Sequence, residues 1–336
     1  MTLFLAAHHI AALHESGAVG MPDYIEAVAG AYREQGEGRL QLLPRHNFFL
    51  DDSSGSAKGR SLKIAGAALP GLGAMGVPTY SAGFRRGVLN LWIELYSTET
   101  GEMLAIFHGG SLSPWKTGAT AAVAARALAR EDARILGIIG TGAQARTQVL
   151  GLVAVRPIAE LRCCARSRDG REVFAAWARE ALPGVVVRPV ESAREAVEGV
   201  DILVTITTAR DPVAAGDWLA PGTHCNVLGA HYPEAREVDT RAVQRSRVFV
   251  DDLDQAWGEK GELMIPLAAG EIAREHVAGD LGSVLAGKIA GRTNAREITM
   301  FCSGGTALEY VGVCVRLYER ARAAGVGQLL DMRGEA

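Results

Sequence analysis

The spacing of apolar positions changes along the chain and predicts two kinds of structure. Residues 1–115 mix short strand-like runs with short helical runs. From about residue 134 to residue 303, apolar β-branched runs alternate with amphipathic segments of helical period, which is typical of a parallel sheet covered by helices on both faces. The predicted strands of this part are 135–139, 161–165, 185–187, 202–207, 224–228, 248–250 and 298–301, and its predicted helices include 144–153, 171–180 and 192–198.

Three further segments complete the predicted elements. Strand-like runs at 89–96 and 103–107 flank a short turn and predict a hairpin. An Ala-rich segment at 117–130 carries apolar positions on one helical face and predicts a helix that leads into the alternating part. The last long segment, 306–324, has a helical period, ends near Gly325, and is expected to return to the first part of the chain.

Composition narrows the class of protein. The chain has 336 residues, of which 48% are hydrophobic and 22% charged, as in an ordinary soluble enzyme of two domains. The net charge of −3 argues against partners such as nucleic acid or a membrane surface. Apolar runs fall short of the ~18–20 residues that span a bilayer, and the first residues lack the basic stretch of a signal peptide, so we expect a cytoplasmic protein. The five cysteines mostly lie in apolar runs, which favours reduced thiols, and no cysteine or histidine spacing predicts a metal site.

A glycine-rich turn after the first strand of the alternating part carries the strongest chemical signal. Gly140 would permit a tight turn, Gly142 would let the backbone approach a pyrophosphate, and Ala145 would let the next helix pack closely. The pyrophosphate would bind the N–H groups at the start of that helix. A strand precedes the turn and another follows about twenty residues later, so we predict a Rossmann dinucleotide-binding domain. The predicted contacts in the turn are Gly140, Gly142, Ala143 and Gln144.

The residues after the second predicted strand indicate which dinucleotide binds. NAD enzymes place an acidic residue there to bind the ribose 2′-OH, and NADP enzymes often place an arginine nearby. This chain has no acid at that point and continues with Arg166, Ser167 and Arg168. A 2′-phosphate would gain charge-assisted hydrogen bonds from an arginine and a hydroxyl. We therefore predict NADP(H), with NAD(H) as the alternative; a solvated basic turn is the other explanation.

Several motifs follow one another in a fixed order from about Gly71 to Gly327. They are STETGEMLA (97–105), LSPWKTGATAAVA (112–124), GTGAQA (140–145), DILVTIT (201–207), PGTHCNVLGAH (221–231), DDLDQA (251–256), GEL (261–263), GR (291–292) and ITMFCSGGTALE (298–309). In this order they resemble the ornithine cyclodeaminase/mu-crystallin family. The resemblance implies an α/β fold with a Rossmann domain, which we place at 119–305, and a substrate and dimerisation domain, which we place at 1–118 and 306–336. It also implies a homodimer formed through the substrate domains.

The resemblance implies roles for individual residues. Thr207 would lie along the cofactor and Ser303 beside the nicotinamide amide; a buried strand threonine and a helix-capping serine are the alternatives. Arg45 would bind a substrate carboxylate through its forked guanidinium. The remaining implied cofactor contacts are Lys116, Thr117, Leu228 and Gly229.

Three positions depart from the family pattern. Pro78 stands where members often carry a lysine that binds substrate and assists proton transfer. Lys63 lies upstream, and the alternative to a functional role for it is an edge-strand lysine whose amine reaches solvent. Lys116 replaces an arginine at the predicted start of the Ala-rich helix, which keeps the charge and loses the fork, unless it is an ordinary surface lysine. His231 replaces the aspartate of the cyclodeaminases; it can do acid–base work near neutral pH, or it is structural.

These departures separate three functions. Cyclodeamination needs oxidation, ring closure, ammonia loss and re-reduction in one pocket, and loss of both the lysine and the aspartate argues against it. The resemblance and the predicted NADP(H) favour an NAD(P)H-dependent reductase of an imine or ketimine, or the reverse amino-acid or amine dehydrogenase. His231 would be its proton donor or orienting group, and Lys116 and Arg45 would bind anions. A cyclodeaminase-type lyase with bound NAD and a non-catalytic NADPH-binding protein like mu-crystallin are the alternatives. The expected partner is a small imine, keto acid or amine.

Overall fold

A computed structural model describes residues 1–50, 60–82, 90–332 and 334. Its contacts divide the chain into two compact units, one formed by Met1–Thr120 with Thr306–Ala336 and the other by Ala121–Gly305. The first unit is therefore made from both ends of the chain, and the second is inserted within it. Neither boundary is marked by a flexible linker in the sequence, because the first falls inside a helix and the second one residue before another helix begins.

The described residues of the first unit form a seven-stranded mixed sheet. Its strands follow the spatial order β15-β1-β6-β5-β4-β3-β2, and all neighbours are antiparallel except β1 and β6. The strands are β1 (Thr2–Leu5), β2 (Gln41–Phe49), β3 (Ser61–Leu69), β4 (Ala74–Ala82), β5 (Asn90–Ser97), β6 (Met103–His108) and β15 (Gln328–Leu330). Its helices are α1 (Ala7–Glu15), α2 (Met21–Gly36) and α11 (Ala307–Ala324), and α3 (Gly109–Leu128) begins here and ends in the second unit.

Helix α11 confirms the predicted return of the chain to the first part. It packs against α2 and across β3 and β4. A Cβ added at Gly76 would lie 3.1 Å from the side chain of Val311, and one at Gly312 would lie 2.8 Å from the Cβ of Ala31. Small residues at these positions therefore allow the helix to approach both the sheet and α2 closely.

The second unit is a parallel sheet with helices on both faces, as the alternating pattern predicts. Its eight strands follow the order β13-β12-β14-β11-β10-β7-β8-β9. They are β7 (Ile135–Ile139), β8 (Glu160–Cys164), β9 (Val186–Pro189), β10 (Ile202–Thr205), β11 (His224–Val227), β12 (Ser246–Val250), β13 (Val277–Asp280) and β14 (Ile298–Cys302). The helices are α4 (Ala145–Val155), α5 (Arg168–Ala181), α6 (Ala193–Val197), α7 (Thr240–Arg245), α8 (Leu253–Glu259), α9 (Gly261–Ala268) and α10 (Leu281–Leu285).

The strand order indicates where a ligand would bind to this unit. The order β9-β8-β7-β10-β11-β14 is that of two mononucleotide-binding halves, with the reversal between β7 and β10. Successive strand residues pack into different cores, since Leu203 belongs to one apolar cluster and its neighbours Ile202 and Val204 to the other. Both faces are thus covered, and ligands of such sheets bind outside the carboxyl ends of the strands.

Several boundaries differ from the predictions. Helix α3 begins at Gly109 and not at residue 117, because tertiary packing extends the helix through a segment that contains glycine, serine and Pro114, all weak helix formers. The hairpin is β5 and β6, and residue 89, its predicted first position, lies outside the described residues. Strand β3 lies between β2 and β4, so the interpretation of Lys63 as an edge-strand lysine is wrong.

The remaining sequence predictions concern thiols and membranes. All five cysteines are buried and free, which confirms that they lie in the core. Burial raises the pKa of Cys225 to about 12, so this thiol stays protonated at neutral pH. None of the described helices is both long enough and apolar enough to cross a membrane.

Candidate functional site

The glycine turn lies at the carboxyl end of β7, at the reversal of the strand order. Gly140 has a φ of +106°, and a side chain there would overlap the carbonyl of Ile206, so only glycine fits. Gly142 is exposed, and a Cβ added there would meet no described atom within 4 Å. Ala145 is fully buried at the first position of α4. The turn thus leaves open backbone at Gly142 and a closely packed helix behind it.

Polar groups beside this turn make it fit a dinucleotide. The side-chain oxygen of Gln144 is buried and has no hydrogen-bond partner within the described part of the chain. The amide nitrogen and oxygen of Gln148, a fully buried residue, are likewise unpaired among the described residues. Ala143 is exposed next to Gln144. Buried polar groups rarely stay unpaired in a complete site, so these atoms indicate that a polar partner completes the start of α4. A pyrophosphate would bind there through donors only, which are the backbone N–H groups at the helix start and the amide nitrogen of Gln148.

The turn after β8 exposes two arginines and a serine. Arg166, Ser167 and Arg168 are all exposed, and the Ser167 hydroxyl caps α5 by accepting a hydrogen bond from the backbone N–H of Gly170 at 3.3 Å. Neither arginine forms an ion pair with any residue that the structure describes. The turn therefore presents positive charge beside a helix N-terminus.

A buried carboxylate joins the ends of β10 and β11. The backbone N–H of Thr207 donates to Glu237 Oε1 at 2.6 Å, and that of Gly229 donates to Glu237 Oε2 at 2.7 Å. A side chain at Gly229 would overlap both Glu237 and Thr207, so glycine is required. Leu228 is buried, and its N–H donates to Thr205. Thr207 is half-buried and lies beyond the end of β10, so it is not a buried strand threonine.

His231 follows Gly229 by two residues at the same edge. Its Nδ1 lies 3.3 Å from the carbonyl oxygen of Gly229, and its ring centre is 4.5 Å from that of Tyr232. The Cβ of His231 would lie 4.0 Å from a Cβ added at Gly304. This distance places His231 beside the loop that follows β14, and the histidine is half-buried there.

That loop is fixed by one carboxylate oxygen. Oδ2 of Asp251 accepts hydrogen bonds from the Ser303 hydroxyl at 2.8 Å and from the N–H groups of Gly304 and Gly305 at 2.9 and 2.8 Å. Asp251 and Ser303 are both buried. Thr306 and not Ser303 caps α11, so the helix-cap alternative for Ser303 is wrong.

In the first unit, Lys116 is enclosed by its own neighbours. Its side chain is 5% exposed, its Nζ lies 3.9 Å from Glu309 Oε2, and it lies 4.6 Å from the ring centre of Tyr310. The alternative of a surface lysine is therefore wrong, as is its placement at a helix start, since α3 begins seven residues earlier. The Thr117 hydroxyl donates to the carbonyl of Ser113 at 2.8 Å, so its bond closes a helical turn.

Strands β2, β3 and β4 carry the other residues of the predicted substrate region. Arg45 is half-buried in the irregular part of β2. Lys63 is buried and pairs in register with Tyr80, with its Nζ 5.9 Å from the ring centre. Pro78 lies two residues before Tyr80 on the same strand and so shares its face of the sheet. The ammonium group of Lys63 therefore lies on the strand next to that of Pro78, the position at which the family lysine is absent.

Two carboxylates that organise this edge, Asp251 and Glu237, were not predicted from the sequence. Asp251 directly follows a predicted strand, and this position could have marked it. Glu237 lies in a loop, and its contacts with two strand ends depend on the tertiary fold. Burial raises the pKa of the Glu237 carboxyl, the Glu262 carboxylate adds to this shift, and hydrogen bonds from Thr207 oppose it.

The doubly wound sheet, the glycine turn and the polar carboxyl edge define a dinucleotide-binding Rossmann protein. The chain belongs to the ornithine cyclodeaminase/mu-crystallin family, whose sequence profile matches residues 13–325. The alanine dehydrogenase of Archaeoglobus fulgidus is 32% identical over 333 residues, or 97% of each chain.

Solved structures resemble the chain along nearly its whole length. The Δ1-pyrroline-2-carboxylate reductase of Thermococcus litoralis, solved with NADH and L-proline, is 33% identical, with a TM-score of 0.90 over 98% of this chain and 100% of the relative. An archaeal alanine dehydrogenase dimer with bound NAD is 30% identical, with a TM-score of 0.87 over 98% of this chain and 99% of the relative. These relatives are oxidoreductases that act on carbon–nitrogen bonds.

Proposed function

We propose that this protein is an NAD(P)H-dependent reductase of an imine or ketimine, or the reverse amino-acid or amine dehydrogenase. The observation that carries the proposal is the carboxyl edge of the second unit, where the glycine turn, Ser303 and His231 combine dinucleotide binding with a group that can move a proton. Full-length similarity to an alanine dehydrogenase and a pyrroline-carboxylate reductase supports it, since both relatives act on a carbon that bears nitrogen.

The coenzyme of this proposal is NADP(H). Arg166 and Arg168 are exposed without ion pairs in the described part of the chain, and Ser167 lies between them in the sequence. A 2′-phosphate would gain charge-assisted hydrogen bonds there, whereas a ribose 2′-OH would lack its usual carboxylate acceptor. Two relatives were solved with NADH and NAD, so the proposed preference for NADP(H) differs from what those structures contain. Arg166→Ala should weaken NADPH binding and leave NADH binding unchanged; equal Kd values of the wild type for both coenzymes would refute the assignment.

The dinucleotide would be held by residues of both halves of the sheet. Gly140, Gly142, Ala143 and Gln144 would contact the pyrophosphate, and Thr207, Leu228, Gly229 and Ser303 would line the nicotinamide half. Lys116 and Thr117 are the implied contacts from α3; Lys116 is already paired with Glu309, which limits the charge it can offer. A bound reduced nicotinamide supplies the hydride.

His231 would deliver the proton. Reduction of an imine adds a hydride to carbon and a proton to nitrogen, so the site needs one acid. The contact between Nδ1 and the Gly229 carbonyl would orient the ring and select the nitrogen that carries the proton. His231→Ala should lower kcat about 10²-fold and leave NADPH affinity unchanged. A reductase that keeps its kcat in this variant would remove His231 from the catalytic role.

The substrate carboxylate would bind cationic side chains of the first unit. Arg45 offers a fork that matches a carboxylate, and Lys63 offers an ammonium on the sheet face of Pro78. The proposed assembly is a homodimer, as in the archaeal alanine dehydrogenase structure.

The experiment that tests the function has two stages. NADPH is first titrated by fluorescence, and its oxidation is then followed with a panel of cyclic ketimines and of 2-keto acids with ammonia or amines. Oxidation by one member supports the reductase and identifies the substrate class. Tight NADPH binding without turnover supports a mu-crystallin-like binding protein instead, and ammonia release from ornithine with retained NAD supports a cyclodeaminase.

A further inference from the structure

Three titratable side chains lie fully buried behind the candidate site, and the proposed chemistry does not use them. Lys260 and Glu262 have side chains 1% and 0% exposed, and Glu237 is also fully buried. Between Lys260 and Glu262, a side chain at Gly261 would overlap the carbonyl of Ala235, so the backbone of residue 235 approaches closely there. Charges in a protein interior are costly unless they are paired and hydrogen-bonded, so each of these has a specific set of partners.

Lys260 holds the ends of two strands. Its ammonium donates to the carbonyl oxygen of Ala230, the residue before His231, and lies 3.3 Å from the carbonyl oxygen of Ser303. It also lies 3.5 Å from Glu262 Oε2. Burial lowers the pKa of this amine, but the surrounding carboxylates outweigh burial and raise it above its usual value. Lys260 is therefore a fixed positive charge at neutral pH.

Glu262 continues the connection to a third strand. Its Oε1 accepts a hydrogen bond from the backbone N–H of Glu237 at 3.0 Å. The Glu237 carboxylate in turn accepts from the Thr205 hydroxyl at 2.9 Å and from the N–H groups of Thr207 and Gly229. A continuous chain of buried polar contacts thus links the carboxyl ends of β10, β11 and β14. We call Lys260, Glu262 and Glu237 the ion chain.

The ion chain contacts strands of one half of the sheet. Strands β10, β11 and β14 form the second mononucleotide-binding half of the sheet, while β7, β8 and β9 form the first. All contacts of the ion chain described above lie in the second half. Well-packed apolar residues of similar volume often stabilise a protein as much as a buried ion pair does, so stability alone does not account for the buried Lys260–Glu262 pair and the Glu237 carboxyl behind it.

We propose that Lys260 is a positioning residue for the nicotinamide half of the dinucleotide. Its contacts with Ala230 and Ser303, continued by Glu262 and Glu237, fix the spacing of the carboxyl ends of β10, β11 and β14, which receive this half. The inference rests on the proposed dinucleotide-binding function. It predicts that loss of the charge weakens binding of the whole dinucleotide and leaves binding of its adenosine half unchanged.

The test compares two ligands on the full-length protein. NADPH and adenosine 2′,5′-bisphosphate are titrated into the wild type, Lys260→Met and Lys260→Arg, with AMP as the fragment if the coenzyme is NADH. We expect Lys260→Met to raise the NADPH Kd about 10-fold, which corresponds to about 1.4 kcal/mol, and to leave the fragment Kd unchanged. Lys260→Arg keeps the charge but is larger than the buried lysine, so it should weaken NADPH binding less than Lys260→Met does.

A matched control removes a different ion pair from the same sheet. Arg130 is hydrogen-bonded to Asp201, whose carboxylate also accepts from the N–H groups of Arg134 and Ile135 at the amino ends of the strands. Arg130→Met should lower Tm and leave both Kd values unchanged. Equal weakening of the two ligands in Lys260→Met, or an unchanged NADPH Kd, would overturn the proposal.

Two further provisions keep the result interpretable. If Lys260→Met does not fold, Glu262→Gln serves in its place, because it retains the shape of the side chain and removes the charge next to the ammonium; it too should weaken NADPH selectively. Binding is measured without substrate, so failure of the imine reductase assignment appears as absence of turnover in a wild type that still binds NADPH. Failure of the present inference appears in the Kd comparison.

Discussion

Replacing Glu237 by glutamine should destabilise the second unit although the side chain keeps its size. Both carboxylate oxygens accept a backbone N–H, from Thr207 on Oε1 and from Gly229 on Oε2. A glutamine amide has one oxygen and one NH₂ group, so either orientation of the amide leaves one of these buried N–H groups without an acceptor.

The size of the effect follows from that one unpaired donor. A buried donor without a partner costs about 1–3 kcal/mol, and a domain of this size loses about 2–4 °C in Tm for each kcal/mol. We therefore expect Tm to fall by about 2–12 °C. The orphaned N–H belongs to Thr207 or Gly229, at the edge that would receive the nicotinamide half, so NADPH affinity should fall as well.

Thermal unfolding followed by circular dichroism measures the first effect, and fluorescence titration with NADPH measures the second. Glu234→Gln is the matched control, since Glu234 is 41% exposed and is paired at 3.0 Å with Arg210, which is 51% exposed. Such surface pairs contribute about 0–1 kcal/mol, so this variant should melt close to the wild type. A Glu237→Gln protein with the Tm and NADPH affinity of the control would show that the carboxylate does not hold both strand ends.

Three further predictions concern other residues. Asp251→Asn should weaken NADPH binding, because only one oxygen remains to accept the hydrogen bonds of the Ser303 hydroxyl and three backbone N–H groups. Fluorescence titration of the variant with NADPH checks this, and an unchanged affinity would contradict it. His224 is buried beside Thr299 and Asn226, and burial lowers its pKa to about 3. The folded state therefore binds fewer protons than the unfolded state below about pH 6.5. The free energy of unfolding should decrease as pH falls from about 6.5 towards 3, by up to about 1.4 kcal/mol per pH unit. Urea unfolding at several pH values measures this slope, which should be smaller in His224→Gln, and an equal slope in both proteins would contradict the assignment. Lys63→Met should raise KM for a carboxylate substrate more than it changes the NADPH Kd; equal KM values would show that this ammonium does not contact substrate.

The second unit could be predicted well from the sequence because its signals are local. Buried parallel strands appear as apolar β-branched runs, and the conformation of Gly140 is required by the turn itself. The predicted helix start at residue 117 was wrong because packing extended α3 through Pro114, and a local pattern does not contain that packing.

The surroundings of individual charges were harder to predict. Lys116 is enclosed by Glu309 and Tyr310, nearly two hundred positions away in sequence, and Lys63 lies in the middle of a sheet and not at its edge. The ion chain likewise joins residues whose proximity follows only from the order of the strands. Residue type and spacing predicted the glycine turn after β7, whereas the partners of the buried titratable groups depend on long-range contacts.

The insertion of one unit within the other has a consequence for synthesis on the ribosome. Residues 121–305 form a contiguous unit, which can complete its sheet while the last residues are still being translated. The first unit cannot, because α11 covers β3 and β4 and β15 pairs with β1, and both α11 and β15 follow the second unit in the sequence. Until then the small residues around Gly76 face no helix, so the nascent amino-terminal sheet exposes an apolar surface throughout elongation. A fragment that ends at Thr120 should therefore aggregate when it is expressed without the carboxyl-terminal segment, whereas co-expression with residues 306–336 should recover soluble material.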